Sequence, residues 1–394
     1  MTSNYPRRRV LALAAALIGS AFAPGAYAAG KVTVGVVLPL SGAFADQGKH
    51  YETGMQLYQQ ANGVTAAGKT VEMVVRDDQG PGSGDLSRRL TQELILRDHA
   101  DIIVGYSFTP NAMSSASLLT EAKRPAIIIN AATSIITAKS PYFTRISMTL
   151  SQVTYTLGQW AAKHGMKTAY TIVSDYAPGL DAETWFKKGF ASGGGKVLGA
   201  DRTPLAAMEY GAVLQRAIEA KPDALFAFDP GGDVAIAFMK QATERLAGTG
   251  IKLMATGDVV DENLLPAMGD KIAGVISAWH YQAGIDNPAN QKFLALYRAK
   301  FGAKALPSYR VVQGWDAMDL IYKTLAKTGG NVDAAAFMAA VKGMKLDSPR
   351  GPVEIDPATR DIVQNIYIRR VEIVDGTPRN VAIATIKAVK DPAK

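Results

Sequence analysis

Short apolar segments alternate with amphipathic segments of helical period along most of this chain, and this alternation constrains the fold more than any other feature. Residues 32–38 form a Val-rich run, and apolar residues with helical spacing follow over residues 51–60. The same pair of patterns recurs at residues 71–76 and 86–97. Continuous apolar strands between amphipathic helices are typical of a parallel sheet that is covered by helices on both faces. The pattern therefore predicts an α/β fold.

The alternation restarts after residue 150, which predicts a second unit of the same kind. A helical segment at residues 152–163 leads into a strand-like run at residues 169–173, and further runs follow at residues 224–228 and 253–255. Two series of βα units predict two doubly wound, Rossmann-like lobes. The Pro-containing stretch at residues 140–146 is the predicted first crossing between them.

The last third of the chain has a different pattern. Residues 315–327 have helical spacing. Residues 353–355 form an apolar run, residues 362–374 alternate between apolar and polar side chains, and a turn separates the two segments. These segments predict helices and an antiparallel strand pair that complete both lobes, so the chain crosses more than once. We therefore expect residues 31–147 with 280–350 in lobe 1, and residues 148–279 with 351–390 in lobe 2.

The amino terminus has the pattern of an export signal. Three arginines, Arg7 to Arg9, precede a short apolar run over residues 10–23, and Ala26-Tyr27-Ala28 gives the small-x-small pattern of a signal peptidase site. We expect residues 1–28 to be a signal peptide that is cleaved near Ala28, which predicts a periplasmic protein. An uncleaved membrane anchor is the alternative, and both the general secretory route and the twin-arginine route remain open.

Composition excludes several classes of function. The sequence contains no cysteine, which excludes thiol catalysis, thiolate metal sites and redox function. The formal charge is +8, and the three signal arginines account for part of it, so about +5 remains on the mature chain. Basic residues are scattered among acidic ones, without the stripe that nucleic-acid binding requires.

Loops that follow the predicted strands hold the candidate ligand-binding residues. In open α/β sheets, ligands bind beyond the carboxyl ends of the strands. Hydroxyl and aromatic side chains follow the strands of the first lobe, and an aromatic residue with two acids follows those of the second. These residues are Ser41, Phe44, Tyr106, Thr109 and Thr133 in lobe 1, and Tyr176, Asp229 and Asp258 in lobe 2.

The two sets of loops offer complementary chemistry. Hydroxyl groups and helix amino termini suit a carboxylate, whereas Tyr176, Asp229 and Asp258 suit an ammonium group or another hydrogen-bond donor. Thr109 and Asp233 are alternatively simple helix caps, Thr109 being followed by Pro110 at the favoured first helical position. The sequence thus predicts a cleft for a small carboxylate-bearing ligand between the lobes.

From residue 31 to about residue 386, the sequence resembles the branched-chain amino acid (Leu/Ile/Val-type) periplasmic binding proteins of ABC importers. The resemblance rests on the order of several short motifs. They are residues 34–42 (VGVVLPLSG), Asp77-Asp78, Val104-Gly105, residues 176–180 (YAPGL) and residues 287–290 (NPAN).

The resemblance implies a type I periplasmic binding protein fold, with two lobes that are joined by three hinge strands and close on the ligand. It further implies that Thr109, Thr133 and the backbone near Ala131 hold a ligand carboxylate. Tyr176 contacts the ligand from the second lobe, and Asp258 receives an α-ammonium group, although it is offset by about one position. Asp229 belongs to a loop that also lines the family's cleft.

The family resemblance also implies partners and points to a divergent branch. The partners are a small-molecule ligand and an ABC permease with its ATPase, with a monomeric receptor and no cofactor. At the cleft entrance, Gln47 replaces a tryptophan of the family, and Phe44 lies nearby. The replaced entrance residue and the offset acid resemble relatives that bind aromatic acids, amides or urea. Such a ligand is the alternative to an amino acid, and the receptor would then act in uptake or in sensing.

An enzyme is the main alternative class. The chain has no G-x-G-x-x-G after the first strand, no phosphate-binding G-x-x-x-x-G-K-[ST] and no G-x-S-x-G motif. Its four histidines, His50, His99, His164 and His280, lack metal-ligand spacing. We therefore predict neither a catalytic residue nor a metal site, and a receptor rather than an enzyme.

Overall fold

The Val-rich run that follows the predicted signal becomes the central strand of the first sheet, because its side chains are buried on both faces. The computed structural model describes residues 1–2 and 30–394, so nearly all of the predicted signal peptide lies outside the described residues. The strands are β1 (Gly30–Leu38), β2 (Thr65–Ala66), β3 (Lys69–Asp77), β4 (Ile102–Gly105), β5 (Ala126–Ile128), β6 (Phe143–Arg145), β7 (Thr168–Ser174), β8 (Lys196–Thr203), β9 (Ala224–Phe228), β10 (Lys252–Thr256), β11 (Ile276–Trp279), β12 (Lys345–Ser348), β13 (Gly351–Ile355), β14 (Ile362–Val374) and β15 (Thr377–Val389). The helices are α1 (Ala45–Asn62), α2 (Gly84–Leu96), α3 (Thr109–Glu121), α4 (Leu150–Lys163), α5 (Ala177–Ser192), α6 (Gly211–Glu219), α7 (Asp233–Arg245), α8 (Leu265–Met268), α9 (Pro288–Phe301), α10 (Tyr309–Thr328) and α11 (Ala334–Val341).

Each lobe is built on a sheet of the same topology. The first sheet has the order β2-β3-β1-β4-β5-β6, in which all pairs are parallel except the β2–β3 hairpin. The second sheet contains the equivalent series β8-β7-β9-β10-β11, again parallel. In both series the strand order reverses beside the first strand, so each lobe has a switch point where ligands bind. The prediction of two doubly wound α/β lobes is confirmed.

The chain passes between the two sheets in three places. Residues 146–149 connect β6 to α4, and residues 280–287 connect β11 to α9, which packs with α10 against α1 of the first lobe. The third passage is β14, whose first residues pair with β13 while its middle pairs antiparallel with β11. These three stretches are the hinge strands that connect the lobes.

Helix α10 brings residues from late in the sequence to the first lobe. It packs closely on α1, where Gly54 permits the approach: a Cβ atom on Gly54 would lie 1.9 Å from the Val311 carbonyl oxygen. The prediction placed the start of this helix at residue 315, but it begins at Tyr309 after the cap Ser308, whose hydroxyl accepts a hydrogen bond from the Arg310 amide at 3.2 Å. The additional residues at the start of the helix carry Arg310 to the boundary between the lobes.

The main strand missing from the prediction is β15. It pairs antiparallel with β14 along almost its whole length, and it lies outermost, so many of its side chains are exposed. An edge strand with one solvated face lacks the continuous apolar run that marks the central strands. Among the described residues, no helix has the length and apolar character needed to cross a membrane.

Candidate functional site

A cavity lies between the lobes at the carboxyl ends of the strands. The space between its walls, including the part that opens to solvent, is about 340 Å³. Its lining residues come from both lobes and include Met148 of the first passage between the lobes. They are Ser107, Phe108, Asn130, Ala132, Met148, Leu150, Tyr176, Pro178, Phe228, Pro230 and Asp258.

The two walls of the cavity contact each other directly. The Gln47 side chain on α1 donates a hydrogen bond from Nε2 to the Pro230 carbonyl oxygen in the second lobe, at 3.1 Å. Arg310 on α10 pairs with Asp261, which follows β10, with 2.9 Å between Nη1 and Oδ2. Both members of this ion pair are almost completely buried. The lobes are therefore closed around the cavity.

Two threonine hydroxyls of the first lobe lie together, each on a residue that directly follows a cavity-lining residue, Phe108 or Ala132. Thr109 Oγ1 and Thr133 Oγ1 are 3.0 Å apart, and Thr109 is buried. The expectation that Thr109 caps α3 is wrong by one residue: Phe108 is the cap, and Thr109 is the first helical residue and makes no capping bond. The Thr109 hydroxyl therefore contacts Thr133 rather than capping the helix. The first amides of α3 have no partner within the helix.

The backbone near Ala131 is only partly available to a ligand. The Ala131 amide donates to the Tyr106 carbonyl oxygen at 3.0 Å. Arg145 donates from Nη2 to the Thr133 carbonyl oxygen at 2.8 Å, which fixes the loop that carries the threonine. The Ala131 amide is therefore already paired, and the Thr133 carbonyl oxygen is held by Arg145.

Aromatic side chains form flat surfaces on both walls. In the second lobe, the rings of Tyr176 and Phe228 are stacked, with centroids 6.1 Å apart and planes inclined by 18°. In the first lobe, Phe44 packs edge-on against Phe108 at 5.0 Å. Phe108, Tyr176 and Phe228 line the cavity from opposite sides. Such surfaces suit a planar ring, which packs by offset stacking or edge-to-face contact.

Two buried carboxyl groups belong to the second-lobe loops: Asp258 lines the cavity, and Asp229 lies in the chain between the lining residues Phe228 and Pro230. Burial raises the pKa of Asp229 to about 7 and that of Asp258 to about 6. Asp229 accepts a hydrogen bond from the Gly231 amide at 2.8 Å, and Asp258 accepts one from the Val259 amide at 3.2 Å. Within residues 30–394, neither carboxyl forms a salt bridge. Both groups can therefore accept a hydrogen bond from a ligand.

Of the ten predicted site residues, Tyr176 and Asp258 are among the residues that line the cavity, and the other eight are not. The Tyr106 side chain points into the core of the first lobe, where its hydroxyl lies 2.7 Å from Thr91 Oγ1 and its ring packs edge-on against Phe143. Its backbone has a φ of 63°, which turns the side chain away from the cavity. Ser41 is exposed, and its hydroxyl bonds to Asp77, the carboxylate of which holds the adjoining turn. Neither side chain lines the cavity.

Sequence reasoning missed several residues at the cavity. Phe228 ends a continuous apolar strand, so its pattern indicates a core residue as readily as a ligand contact. Asn130 and Ser107 belong to loops that were correctly located, and each has a buried side-chain oxygen without a hydrogen-bond partner. Arg310 and Asp261 gave no signal, because residues far apart in sequence meet here only through the packing of α10 on α1.

The fold and this cavity define a bilobal receptor that closes around a small ligand. Comparison with known proteins agrees: residues 31–377 match the family described as periplasmic binding protein, and the chain belongs to this family. It is 41% identical to the Leu/Ile/Val-binding protein homolog 6 of Brucella melitensis biotype 1 over 384 residues, which cover 97% of this chain and 98% of that protein. The class is that of the solute-binding proteins of ABC transporters.

Solved structures of similar sequence carry aromatic ligands. The solute-binding protein of an ABC transporter from Rhodopseudomonas palustris BisB5, in complex with 3,4-dihydroxybenzoic acid, is 45% identical, with a TM-score of 0.88 over 92% of this chain and 99% of that chain. A second such protein, from Rhodopseudomonas palustris HaA2 in complex with p-hydroxybenzoic acid, is 43% identical with the same TM-score and coverage.

Proposed function

We propose that this protein is a periplasmic receptor that binds an aromatic carboxylate of the benzoate type in the interlobe cavity and delivers it to an ABC permease. The observation that carries the proposal is the arrangement of aromatic rings in the cavity: Phe108 lines one wall, and the Tyr176–Phe228 stack lines the other. A planar ring bound between these walls would find aromatic surfaces to pack against on both sides. The aromatic ligands of the two similar Rhodopseudomonas palustris proteins support the same class.

The polar groups of the cavity suit the two ends of such a ligand. A carboxylate at the Thr109–Thr133 pair receives hydroxyl hydrogen bonds and lies at the amino terminus of α3, where the helix dipole favours an anion. The opposite end then faces the acid-bearing wall of the second lobe. An amino acid would place its ammonium group at the same wall, so this wall alone does not distinguish the two ligand classes.

Ligand capture follows from lobe closure. A ligand that contacts both walls binds the closed form more tightly than the open form, so it shifts the equilibrium toward closure. The Gln47–Pro230 and Arg310–Asp261 contacts add direct lobe-to-lobe interactions to the closed form. The closed form is the one that the permease recognises.

A thermal-shift panel tests the ligand class. The mature chain, stripped of ligand by unfolding and refolding, is mixed with benzoate, 4-hydroxybenzoate, 3,4-dihydroxybenzoate, leucine, valine and phenylalanine. A ligand that binds only the native state raises the melting temperature by mass action. We expect stabilisation by the aromatic acids. Stabilisation by the amino acids alone would overturn the proposal and would favour an amino acid receptor instead.

Substitution of Thr109 tests the carboxylate contact. Thr109→Ala removes one hydroxyl from the pair, and the loss of a hydrogen bond to a charged group costs about 1.5–3 kcal/mol. We expect affinity for the best aromatic acid, measured by calorimetry, to fall accordingly. Thr120→Ala is the matched control, because Thr120 lies on the same helix but bonds to Ser140 and the Ala116 carbonyl oxygen. Equal affinities of the two variants would remove Thr109 from the site.

A further inference from the structure

A second cavity, here called the hinge-side cavity, lies between the lobes beside the second passage of the chain, where residues 282–284 line it. The space between its walls, including the part that opens to solvent, is about 780 Å³. The first lobe contributes Arg298 of α9 and Leu306, and the second contributes Glu262, which follows β10, and Asn380 of β15. Among the residues that the structure describes, this cavity shares no lining residue with the interlobe cavity.

Two buried oxygen atoms on the second-lobe wall of the hinge-side cavity lack a hydrogen-bond partner within residues 30–394. They are Glu262 Oε2 and Asn380 Oδ1, and the two residues are 6% and 3% exposed. The Asn380 side chain donates from Nδ2 to the Val260 carbonyl oxygen at 2.8 Å, which fixes the amide and leaves Oδ1 as an acceptor. Burial raises the pKa of Glu262 to about 7, against the charge of Arg369 and hydrogen bonds from Asn380. Because unpaired buried acceptors are costly, these atoms indicate a ligand group that donates to them.

Two arginines on opposite walls of the hinge-side cavity supply positive charge. Arg298 of α9 and Arg379 of β15 are half-buried, and Nε of each is buried without a hydrogen-bond partner in the described part of the chain. Burial raises the pKa of Tyr281, and the charges of Glu262 and Arg298 act on it in opposite directions, so both groups lie near this side chain. A guanidinium presents a planar fork of donors that matches a carboxylate. Two such forks on facing walls suit a ligand with two carboxylates.

We propose that the hinge-side cavity binds a small hydroxydicarboxylate of the malate type. One carboxylate pairs with Arg298 and the other with Arg379, while the ligand hydroxyl donates to the buried acceptors of the second lobe. Apolar residues such as Val374 and Val381 complete the lining and contact the carbon skeleton. The two arginine charges balance the dianion. This site goes beyond the proposed function and does not depend on the ligand of the interlobe cavity.

A dianion bound at both arginines joins the lobes. Arg298 belongs to the first lobe and Arg379 to the second, so the distance between them changes when the lobes move about the hinge strands. A dianion that fits the closed form binds it more tightly than the open form, and it therefore favours closure. By linkage, a ligand that closes the interlobe cavity strengthens binding at the hinge-side cavity by the same factor.

Calorimetry with L-malate tests the two arginine contacts. Each of Arg298→Gln and Arg379→Gln removes a charge-assisted pair, so we expect either variant to bind malate roughly 10- to 100-fold more weakly than the wild type. Lys292→Gln on α9 and Lys387→Gln on β15 are the matched controls, because they remove exposed cations from the same two elements. Absence of saturable malate binding by the wild type, or equal weakening in the lysine variants, would overturn the proposal.

Succinate, which lacks the hydroxyl of malate, tests the buried acceptors. We expect the wild type to bind malate roughly 10-fold more tightly than succinate, and Glu262→Met to bring this ratio toward one. Equal binding of the two acids by the wild type would refute the hydroxyl contact. This comparison also decides the case if an arginine variant does not fold. If Thr109→Ala weakened malate binding as much as Arg379→Gln does, malate would bind in the interlobe cavity and the proposal would fail.

X-ray scattering tests whether the dianion joins the lobes. Malate alone, without any ligand for the interlobe cavity, should reduce the radius of gyration of the wild type but not that of Arg379→Gln. An unchanged radius at saturating malate would refute the effect on closure. Because no aromatic acid is present, failure of this result and failure of the proposed function are separate outcomes.

Discussion

The hinge and the cavity both bury charged groups, but they treat them in opposite ways. At the hinge, Arg350 and Asp316 are completely buried and form an ion pair, with 2.9 Å between Nε and Oδ2. At the cavity, the buried carboxyls of Asp229 and Asp258 form no salt bridge within residues 30–394. A pivot must keep its geometry, so its charges are paired inside the protein. A ligand site must keep hydrogen-bonding capacity for its ligand.

Arg350 contacts all three passages of the chain between the lobes. It donates to the carbonyl oxygens of Ile146 and Ser147 in the first passage and to Gln364 Oε1, at 2.7 Å, in the third. It also lies 3.4 Å from Nδ1 of His280 in the second. Burial and the neighbouring arginines lower the pKa of His280, which keeps this histidine neutral. The guanidinium therefore connects the three hinge strands at one point, and helix α10 anchors it through Asp316.

Breaking the hinge pair has the largest expected effect. Arg350→Met leaves Asp316 buried without its cation, and such a change costs about 3–5 kcal/mol of unfolding free energy. Denaturant unfolding measures the loss. The exposed pair Arg370–Glu372 supplies the control: Arg370→Met is expected to cost about 1 kcal/mol or less. Removing both hinge charges in Arg350→Met/Asp316→Leu should recover part of the loss, because no unpaired charge remains.

The comparison between hinge and control has a clear failing outcome. If Arg350→Met lost no more stability than Arg370→Met, the buried pair would not support the hinge. A loss that the double variant does not reduce would assign the effect to the carbonyl contacts of Arg350 rather than to its charge.

Removing the unpaired charge of Asp229 should stabilise the folded protein, which is the opposite of the effect of breaking the hinge pair. The pKa of Asp229 is raised in the folded protein from 3.8 to about 7, so the folded state binds this proton more tightly than the unfolded state. The resulting stabilisation is complete below pH 3.8 and is lost as the pH rises through about 7. Asp229→Asn removes this loss, so at pH 8 the ligand-free variant should be more stable than the wild type, by up to roughly 4 kcal/mol.

Unfolding curves at several pH values check this prediction. The difference between Asp229→Asn and the wild type should shrink as the pH falls toward 4, where the wild-type carboxyl is protonated. Asp223→Asn is the control of opposite sign, because hydrogen bonds from the Lys167 and Thr168 amides lower the pKa of Asp223; this variant should be less stable than the wild type at pH 8. A pH-independent effect of Asp229→Asn would show that its charge is not the cause.

The sequence alone predicts the lobes and the position of the cavity loops. The βα alternation predicts both lobes, because buried parallel strands must be continuously apolar. It also locates the loops of the cavity, because the carboxyl ends of such strands share one edge. Tyr176 and Asp258, which line the cavity, were located in this way.

What the sequence does not predict depends on long-range packing. The contact between Arg310 and Asp261 requires α10 to lie against α1 and to begin six residues earlier than its apolar pattern indicates. Tyr106 was placed in the site because its loop is there, but its positive φ directs the side chain to Thr91. Loop position follows from periodicity, whereas side-chain direction depends on single backbone angles that periodicity does not encode.

Adding a methyl group at Gly231, between the lobes, has the smallest expected effect. It tests whether contacts at the cavity, rather than the hinge, limit closure of the lobes. Gly231 has a φ of 82°, and a Cβ atom there would approach Arg310 Nη2 and the Asp258 carbonyl oxygen. Gly231→Ala should therefore combine a local backbone cost of about 1–2 kcal/mol with a close contact to Arg310 of the first lobe, and this second contact exists only when the lobes are closed. Gly248→Ala is the matched control, since Gly248 has a φ of 77° and no atom within 4 Å of its Cβ position. We expect both variants to lose comparable stability without ligand, whereas only Gly231→Ala also loses ligand affinity and the ligand-induced compaction seen by X-ray scattering. Equal ligand affinity in the two variants would mean that the contact around Gly231 does not limit closure, and the hinge would then be the region that determines it.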